Sequence, residues 1–236
     1  MALKDKVVII TGASSGIGAA TAIRLAKDGA VVVISSRNIK GMDNVANSIR
    51  RINGQIMSIK LDVKNEDDIK DMINIVKNKF GRIDAIVNNA GVRYAGNIDE
   101  FDTIELDETL DINLRGVYLC CKYAAQVMKN QRKGHIINIS SVASRLGRAE
   151  RSAYAASKFG VMGLSEAITE ELKPFNVKVS TICPGAVDTT MQYKIKSKTE
   201  RAKMLKAEEV ADLVAYILCL GDNANITEVH IRPVLY

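Results

Sequence analysis

Tyr154 and Lys158 stand four residues apart in Tyr154-Ala155-Ala156-Ser157-Lys158. On a helix that spacing puts both side chains on one face, leaning together. A free tyrosine has a pKa of about 10, too high for ready proton exchange near neutrality, and a neighbouring ammonium lowers it by stabilising the phenolate. Tyr154 thereby becomes a candidate general acid or base. Thirteen residues before it, Ser141 offers a hydroxyl that can hold a reacting carbonyl oxygen and share its developing negative charge. An isolated pair of this kind is an ordinary helix feature, so its meaning depends on what accompanies it.

A second set of residues suits a phosphate-bearing ligand. Thr11-Gly12-Ala13-Ser14-Ser15-Gly16-Ile17-Gly18 follows a β-branched run and opens an Ala-rich helical segment. Glycines at such a turn let the backbone approach a pyrophosphate, and the free amides and dipole of the helix start favour its charge. The GxxxGxG spacing differs from GxGxxG, and the Lys and Ser/Thr of a triphosphate-binding loop are missing. The next strand candidate ends Ile34-Ser35-Ser36-Arg37, with arginine where an NAD-binding chain carries an acid. Charge complementarity at Ser36 and Arg37 therefore favours the 2′-phosphate of NADP over NAD. Asp62 and Val63 follow the third strand candidate and Asn88-Asn89-Ala90-Gly91 ends the fourth, at strand C-termini that line the crevice of an open parallel sheet.

The elements that must position these groups are readable from apolar periodicity. Strand candidates run over 7–10, 30–35, 55–60, 85–88, 135–140, 177–182 and 228–231, mostly as continuous apolar stretches typical of strands buried on both faces. Helical spacing occupies 15–28, 42–52, 66–79, 103–129, 153–173 and 207–220. This alternation predicts an α/β fold, a Rossmann-like doubly wound parallel sheet of about seven strands with helices on both faces. With three prolines and no linker-like composition shift, residues 1–236 read as one dinucleotide-binding and catalytic domain.

TGxxxGIG, Asp62, NNAG and YxxxK together resemble the short-chain dehydrogenase/reductase family over Lys6 to about Leu220. The resemblance implies that Asn113, Ser141, Tyr154 and Lys158 are catalytic, the asparagine keeping a water that links the lysine to solvent. It also implies that Gly12, Ser14, Ser15, Gly16, Ile17 and Gly18 bind the cofactor, that Asp62 and Val63 hold its adenine, and that Asn89, Ala90 and Gly91 line its channel. Pro184-Gly185-Ala186-Val187-Asp188-Thr189 resembles the family's PGxVxT segment, which places Pro184, Gly185, Val187 and Thr189 at the nicotinamide and implies pro-S hydride transfer. Homotetramers or homodimers are the implied assembly. The ending Asn225-Ile226-Thr227-Glu228-Val229-His230-Ile231-Arg232-Pro233 lacks the glycine-rich segment of the family's fatty-acid-type ketoreductases, which weighs against a carrier-protein substrate.

Composition excludes other classes. Apolar residues are 47% and charged residues 25% of the 236, ordinary for a globular chain. No apolar stretch approaches the ~20 residues of a membrane span, and the first residues lack a signal-peptide layout. Cys120, Cys121, Cys183 and Cys219 show no CxxC spacing, and His135 and His230 lie far apart, so no metal is expected and the cysteines read as reduced and buried, in a cytoplasmic protein. The net charge of +6 could suggest nucleic acid, but the basic stretches lack interleaved aromatics and Trp is absent. The excess concentrates in three places: Arg93, the stretch with Arg145, Arg148 and Arg151, and Lys194 to Lys206, which carries six cations against Glu200. Residues 189–206 read as a substrate loop or lid.

The resulting expectation is an NADP-dependent enzyme acting on a small carbonyl or alcohol substrate, its substrate carrying negative charge. A 3-oxoacyl carrier-protein reductase-like enzyme and a non-catalytic dinucleotide-sensing regulator are the alternatives.

Overall fold

The computed structural model describes residues 3–193 and 197–234. Along the chain lie β1 (Val7–Thr11), α1 (Gly16–Lys27), β2 (Val31–Ser36), α2 (Ile39–Arg51), β3 (Gln55–Lys60), α3 (Glu66–Phe80) and β4 (Ala85–Asn88). They are followed by α4 (Thr103–Leu110), α5 (Gly116–Gln131), β5 (Gly134–Ile139), α6 (Ser152–Leu172) and β6 (Val177–Pro184). Two short helices, α7 (Thr190–Tyr193) and α8 (Lys198–Arg201), precede α9 (Ala207–Cys219) and β7 (Glu228–Ile231).

Among the described residues the strands form one sheet in the order β3-β2-β1-β4-β5-β6-β7, every pair parallel. Strand order reverses between β1 and β4, which opens a crevice at their C-terminal ends. The chain thus has the doubly wound Rossmann-like fold its alternation predicts.

Period-2 alternation along each strand sends neighbouring residues to opposite faces. Val8, Ile10, Val32, Ile34, Val87 and Ile137 join the apolar faces of α1, α2 and α9. Val7, Ile9, Val31, Val33, Ile86 and Ile136 join α3, α5 and α6 on the other side. Both layers exclude water, which is why β1, β2 and β4 read as unbroken apolar runs.

Several boundaries differ from expectation. The predicted helix over 103–129 is two helices joined by a π-helical turn, Asp111–Arg115, which carries Asn113. One extra residue per turn rotates the following face, a device found at functional sites and invisible to a 3.6-residue count. Ser15 stands before α1 as its N-cap, and Ser140 lies just past β5. Cys120, Cys121 and Cys183 are buried as expected, whereas Cys219 is exposed at the end of α9. No helix of the described residues is long and apolar enough to cross a membrane.

Candidate active site

A cleft of about 410 Å³ opens over the C-terminal ends of β1, β2, β4, β5 and β6. Its floor at one end is the β1–α1 turn. Gly12 sits at φ +65° with room for no side chain, since a Cβ there would lie 2.7 Å from Ala90 Cα. Gly16 has φ +56° and faces Thr189. Gly12, Ser14, Ser15, Gly16 and Ile17 all line the cleft. Gly18 does not: it lies behind the turn, where a Cβ would meet the Asn89 amide at 2.5 Å. It is a packing position that lets the helix close on the sheet.

The helix start at this turn is left open. Ser15 makes no side-chain capping bond among the described residues, and the first turn of α1 contains no acid. By contrast, Asn38, Asn65 and Asp102 cap α2, α3 and α4. Unsatisfied amides and the positive helix end therefore face the cleft beside small residues, an arrangement that fits a pyrophosphate.

Asn89 fastens β4 to this turn. Its side-chain amide donates to the carbonyls of Thr11 (3.0 Å) and Gly12 (3.1 Å), while its backbone N–H and that of Ala90 donate to Thr11 Oγ1 at 3.1 Å each. Asn89, Ala90 and Gly91 line the cleft, and Asn88 lies beneath it, donating to Asn138 Oδ1 at 2.8 Å.

Ser36 and Arg37 line the far end with Asp62 and Val63. Ser36 Oγ donates to Ser14 Oγ at 3.0 Å. The Arg37 guanidinium, half exposed, lies 3.6 Å from Glu108 and 3.9 Å from Asp62. These distances hold it at the rim without a tight partner. A 2′-phosphate fits this corner because Arg37 carries a charge while the serines offer hydroxyl donors. The open helix start, the glycine turn and this corner together accommodate a phosphorylated dinucleotide.

Ser141, Tyr154 and Lys158 meet at the opposite end. Ser141 follows β5 and starts a short 3-10 turn, accepting from the Ala143 N–H at 3.2 Å. Tyr154 and Lys158 lie on the first turns of α6, and Lys158 is 5% exposed with its Nζ donating to the Ile139 carbonyl at 3.0 Å. Burial pushes the Lys158 ammonium down to about 8. Burial also raises the Tyr154 phenol, against the lowering effect of a hydrogen bond with Ser141 and the charges of Arg93 and Arg151. This corrects the expected charge logic. The lysine ammonium stands 5.8 Å from the phenol ring centroid, and the charges that lower the phenol are those of Arg93 and Arg151 rather than Lys158.

Asn113 does not line the cleft. It lies one layer behind, wholly buried, its Oδ1 accepting from the Val92 N–H and its Nδ2 donating to the Val92 carbonyl. Nδ2 also reaches Ser157 Oγ at 3.2 Å, between the two reactive residues of α6.

Pro184, Gly185, Val187 and Thr189 line the cleft after β6. Val187 pairs with Leu205, and Asp188 binds Arg201 (3.0 Å) and Lys206 (3.2 Å).

The basic rim is smaller than the sequence predicts. Arg93, Arg148 and Arg151 line the cleft, but Arg145 turns to the sheet edge and grips Glu228 at 2.7 and 3.2 Å. Lys198, Arg201, Lys203 and Lys206 lie outside the lining, and Asp188 holds two of them. Lys194 and Lys196 lie outside the described residues. Sequence reasoning missed Arg232, which lines the cleft just past β7. Its position after a parallel strand was the available signal.

The sequence profile of the short chain dehydrogenases matches residues 6–200. The chain belongs to the short-chain dehydrogenase family. It is an oxidoreductase of that family, 34% identical over 232 residues to an uncharacterized oxidoreductase of Staphylococcus aureus strain USA300, covering 98% of this chain and 99% of that one. Its fold is similar to a metagenomic short-chain oxidoreductase in complex with NADP, with TM-score 0.88, 34% identity and full coverage of both chains. It is also similar to an alcohol dehydrogenase from the archaeon Thermococcus sibiricus complexed with 5-hydroxy-NADP, with TM-score 0.91, 28% identity and coverage of 99% and 98%.

Proposed function

We propose that this short-chain dehydrogenase is an NADP-dependent enzyme interconverting a carbonyl and an alcohol, with Tyr154 as general acid/base. The observation that carries the reading is one cleft holding Ser141, Tyr154 and Lys158 at one end and the open helix start with Arg37 at the other. The NADP complexes of two similar structures support the cofactor choice.

Gly12 to Ile17 and the amides of α1 would hold the pyrophosphate, Ser36 and Arg37 the 2′-phosphate, Asp62 and Val63 the adenine, and Val187 and Thr189 the nicotinamide side. When bound, the cofactor supplies the hydride that reaches the carbonyl carbon. Ser141 donates a hydrogen bond to the carbonyl oxygen, where negative charge develops. Tyr154 gives that oxygen its hydroxyl proton and recovers it in the reverse direction. Desolvation keeps the phenol protonated and so suits reduction, while Arg93 and Arg151 ease the proton's departure. Lys158 supplies the nearby cation, and Asn113 positions the α6 face by holding both Ser157 and the Val92 backbone.

The substrate is anionic on this reading. Arg93 and Arg151 act on Tyr154 through their charge, Arg148 and Arg232 also line the cleft, and the cleft's one lining acid, among the described residues, is Asp62. Exposed Tyr118 on α5 and Phe159 on α6 favour a homodimer or homotetramer. Free thiols throughout the described residues support a reducing, cytoplasmic setting.

Tyr154→Phe tests the assignment. NADPH-dependent carbonyl reduction should fall about 10²- to 10⁴-fold while NADPH binding, read by fluorescence, persists. Wild-type protein that oxidises no NADPH across a broad carbonyl panel would favour a dinucleotide-sensing role instead.

A further inference from the structure

Next to the cleft, where the Cys183 sulfur lies 3.6 Å from Ser144 Oγ, β6 and β7 bring together three side chains the reaction does not use. Cys183 and His230 are register partners in the parallel pair, so they project to the same face. Glu228, two residues before His230, shares that face. The Cys183 sulfur, a Glu228 oxygen and a His230 ring nitrogen all lie within 4.8 Å of one another.

We propose that Cys183, Glu228 and His230 form a binding site for a thiophilic divalent cation of the zinc kind. Thiolate, imidazole and carboxylate from a rigid strand pair are the donor set of a three-ligand zinc site with one position left for water. Cys183 is fully buried and His230 is exposed, so the site has an apolar floor and an open mouth. Met162 adds a thioether 3.7 Å from the Cys183 sulfur, on the buried side.

The neighbouring groups agree with this use. His230 Nε2 and Glu228 Oε1 share a proton at 2.7 Å. A cation would take that proton's place between the two atoms. Arg145 holds both carboxylate oxygens, Nη2 on Oε2 at 2.7 Å and Nε on Oε1 at 3.2 Å, which fixes the carboxylate plane; a cation on Oε1 would share that oxygen with the longer of the two bonds. Such outer partners orient a ligand. Arg145 also adds local positive charge, so the site is selective for a cation that the sulfur can bind covalently and not for a hard ion held by charge alone. Coordination breaks the Cys183 S–H bond and forms a metal–sulfur bond, the proton going to solvent. The imidazole proton moves to Nδ1, and no electron changes hands.

Cobalt(II) chloride, added to the full-length chain after dialysis against a chelator, tests the site directly. One equivalent should produce the near-ultraviolet thiolate-to-cobalt charge-transfer band and the visible absorption of tetrahedral cobalt, and zinc chloride should erase both. Cys183→Ser should abolish the charge-transfer band, His230→Gln should weaken binding at least tenfold, and Cys219→Ser should change neither. No band in the wild-type chain, a band surviving in Cys183→Ser, or one lost in Cys219→Ser overturns the proposal. If Cys183→Ser does not fold, His230→Gln alters an exposed side chain and decides alone, unchanged affinity overturning the site.

Discussion

The side-chain amide of Asn113 closes a two-way bond with the backbone of Val92, accepting from its N–H at 2.8 Å and donating to its carbonyl at 2.9 Å. A π-helical turn within the α4–α5 segment thereby clamps the strand extension that follows β4 and carries Gly91 into the cleft. Asn113→Ala removes both partners at once. Each buried polar group left unpaired costs about 1–3 kcal/mol, about 2–6 kcal/mol for the two, so thermal denaturation should show Tm lower by roughly 4–24 °C, and NADPH turnover should fall with it. Unchanged Tm would mean that Val92 finds water instead and that the clamp is not needed.

Lys158 makes stability and activity diverge with pH. Its ammonium is held at about 8 by burial, against the ordinary 10.5. Between those values the unfolded chain carries a proton that the folded one lacks, so the Lys158 contribution to stability rises with pH across that window. The cationic form that the reaction uses is lost over the same interval. For the free enzyme, kcat/KM for carbonyl reduction should decline above pH about 8 while the denaturant midpoint does not decline in step. Lys158→Arg keeps its charge, so any residual activity should show no such alkaline limb. A limb that persists in Lys158→Arg assigns it to another group.

How much of this was legible in the sequence follows a physical division. β1, β2 and β4 announced themselves because both faces of each are covered and all but their C-terminal residues are apolar. Gly12 and Gly16 were legible because their positive φ leaves few alternatives to glycine. Asn113 was singled out, but not its position behind the cleft, since a π turn leaves no periodic trace. Arg145 was misjudged because its partner Glu228 is 83 residues away. The same distance problem hid the Cys183–Glu228–His230 cluster and the cleft position of Arg232: each depends on β6 and β7 being neighbours in register, which single-strand patterns do not encode.

Arg37 should decide between the two nicotinamide cofactors. It lies 3.6 and 3.9 Å from its two carboxylate neighbours, contacts weak enough for a 2′-phosphate to replace. Charge-assisted bonds of this kind contribute about 1.5–3 kcal/mol, or roughly 10- to 100-fold in affinity. Arg37→Asp should raise the KM for NADPH by that factor and improve NADH, since the new carboxylate accepts from the ribose 2′-hydroxyl. Parallel steady-state titrations with the two cofactors give the ratio. An unaltered NADPH/NADH preference would remove Arg37 from the cofactor site.

Arg151 should set preference for charge on the substrate. It stands at the N-terminus of α6, lines the cleft, and acts on Tyr154 through its charge. Arg151→Gln therefore has two separable effects. Loss of the long-range field on the phenol lowers reduction of every substrate by a common factor. Loss of a direct contact lowers only carboxylate- or phosphate-bearing carbonyls, by a further tenfold or so, as expected for one charge-assisted bond. The ratio of kcat/KM between an anionic carbonyl and a neutral one of equal size cancels the first effect and isolates the second. That ratio should fall in Arg151→Gln and, for the wild type, fall with added salt as screening weakens the pair. A ratio near one in the wild type, insensitive to salt, leaves the arginines as solvated rim residues and the substrate uncharged.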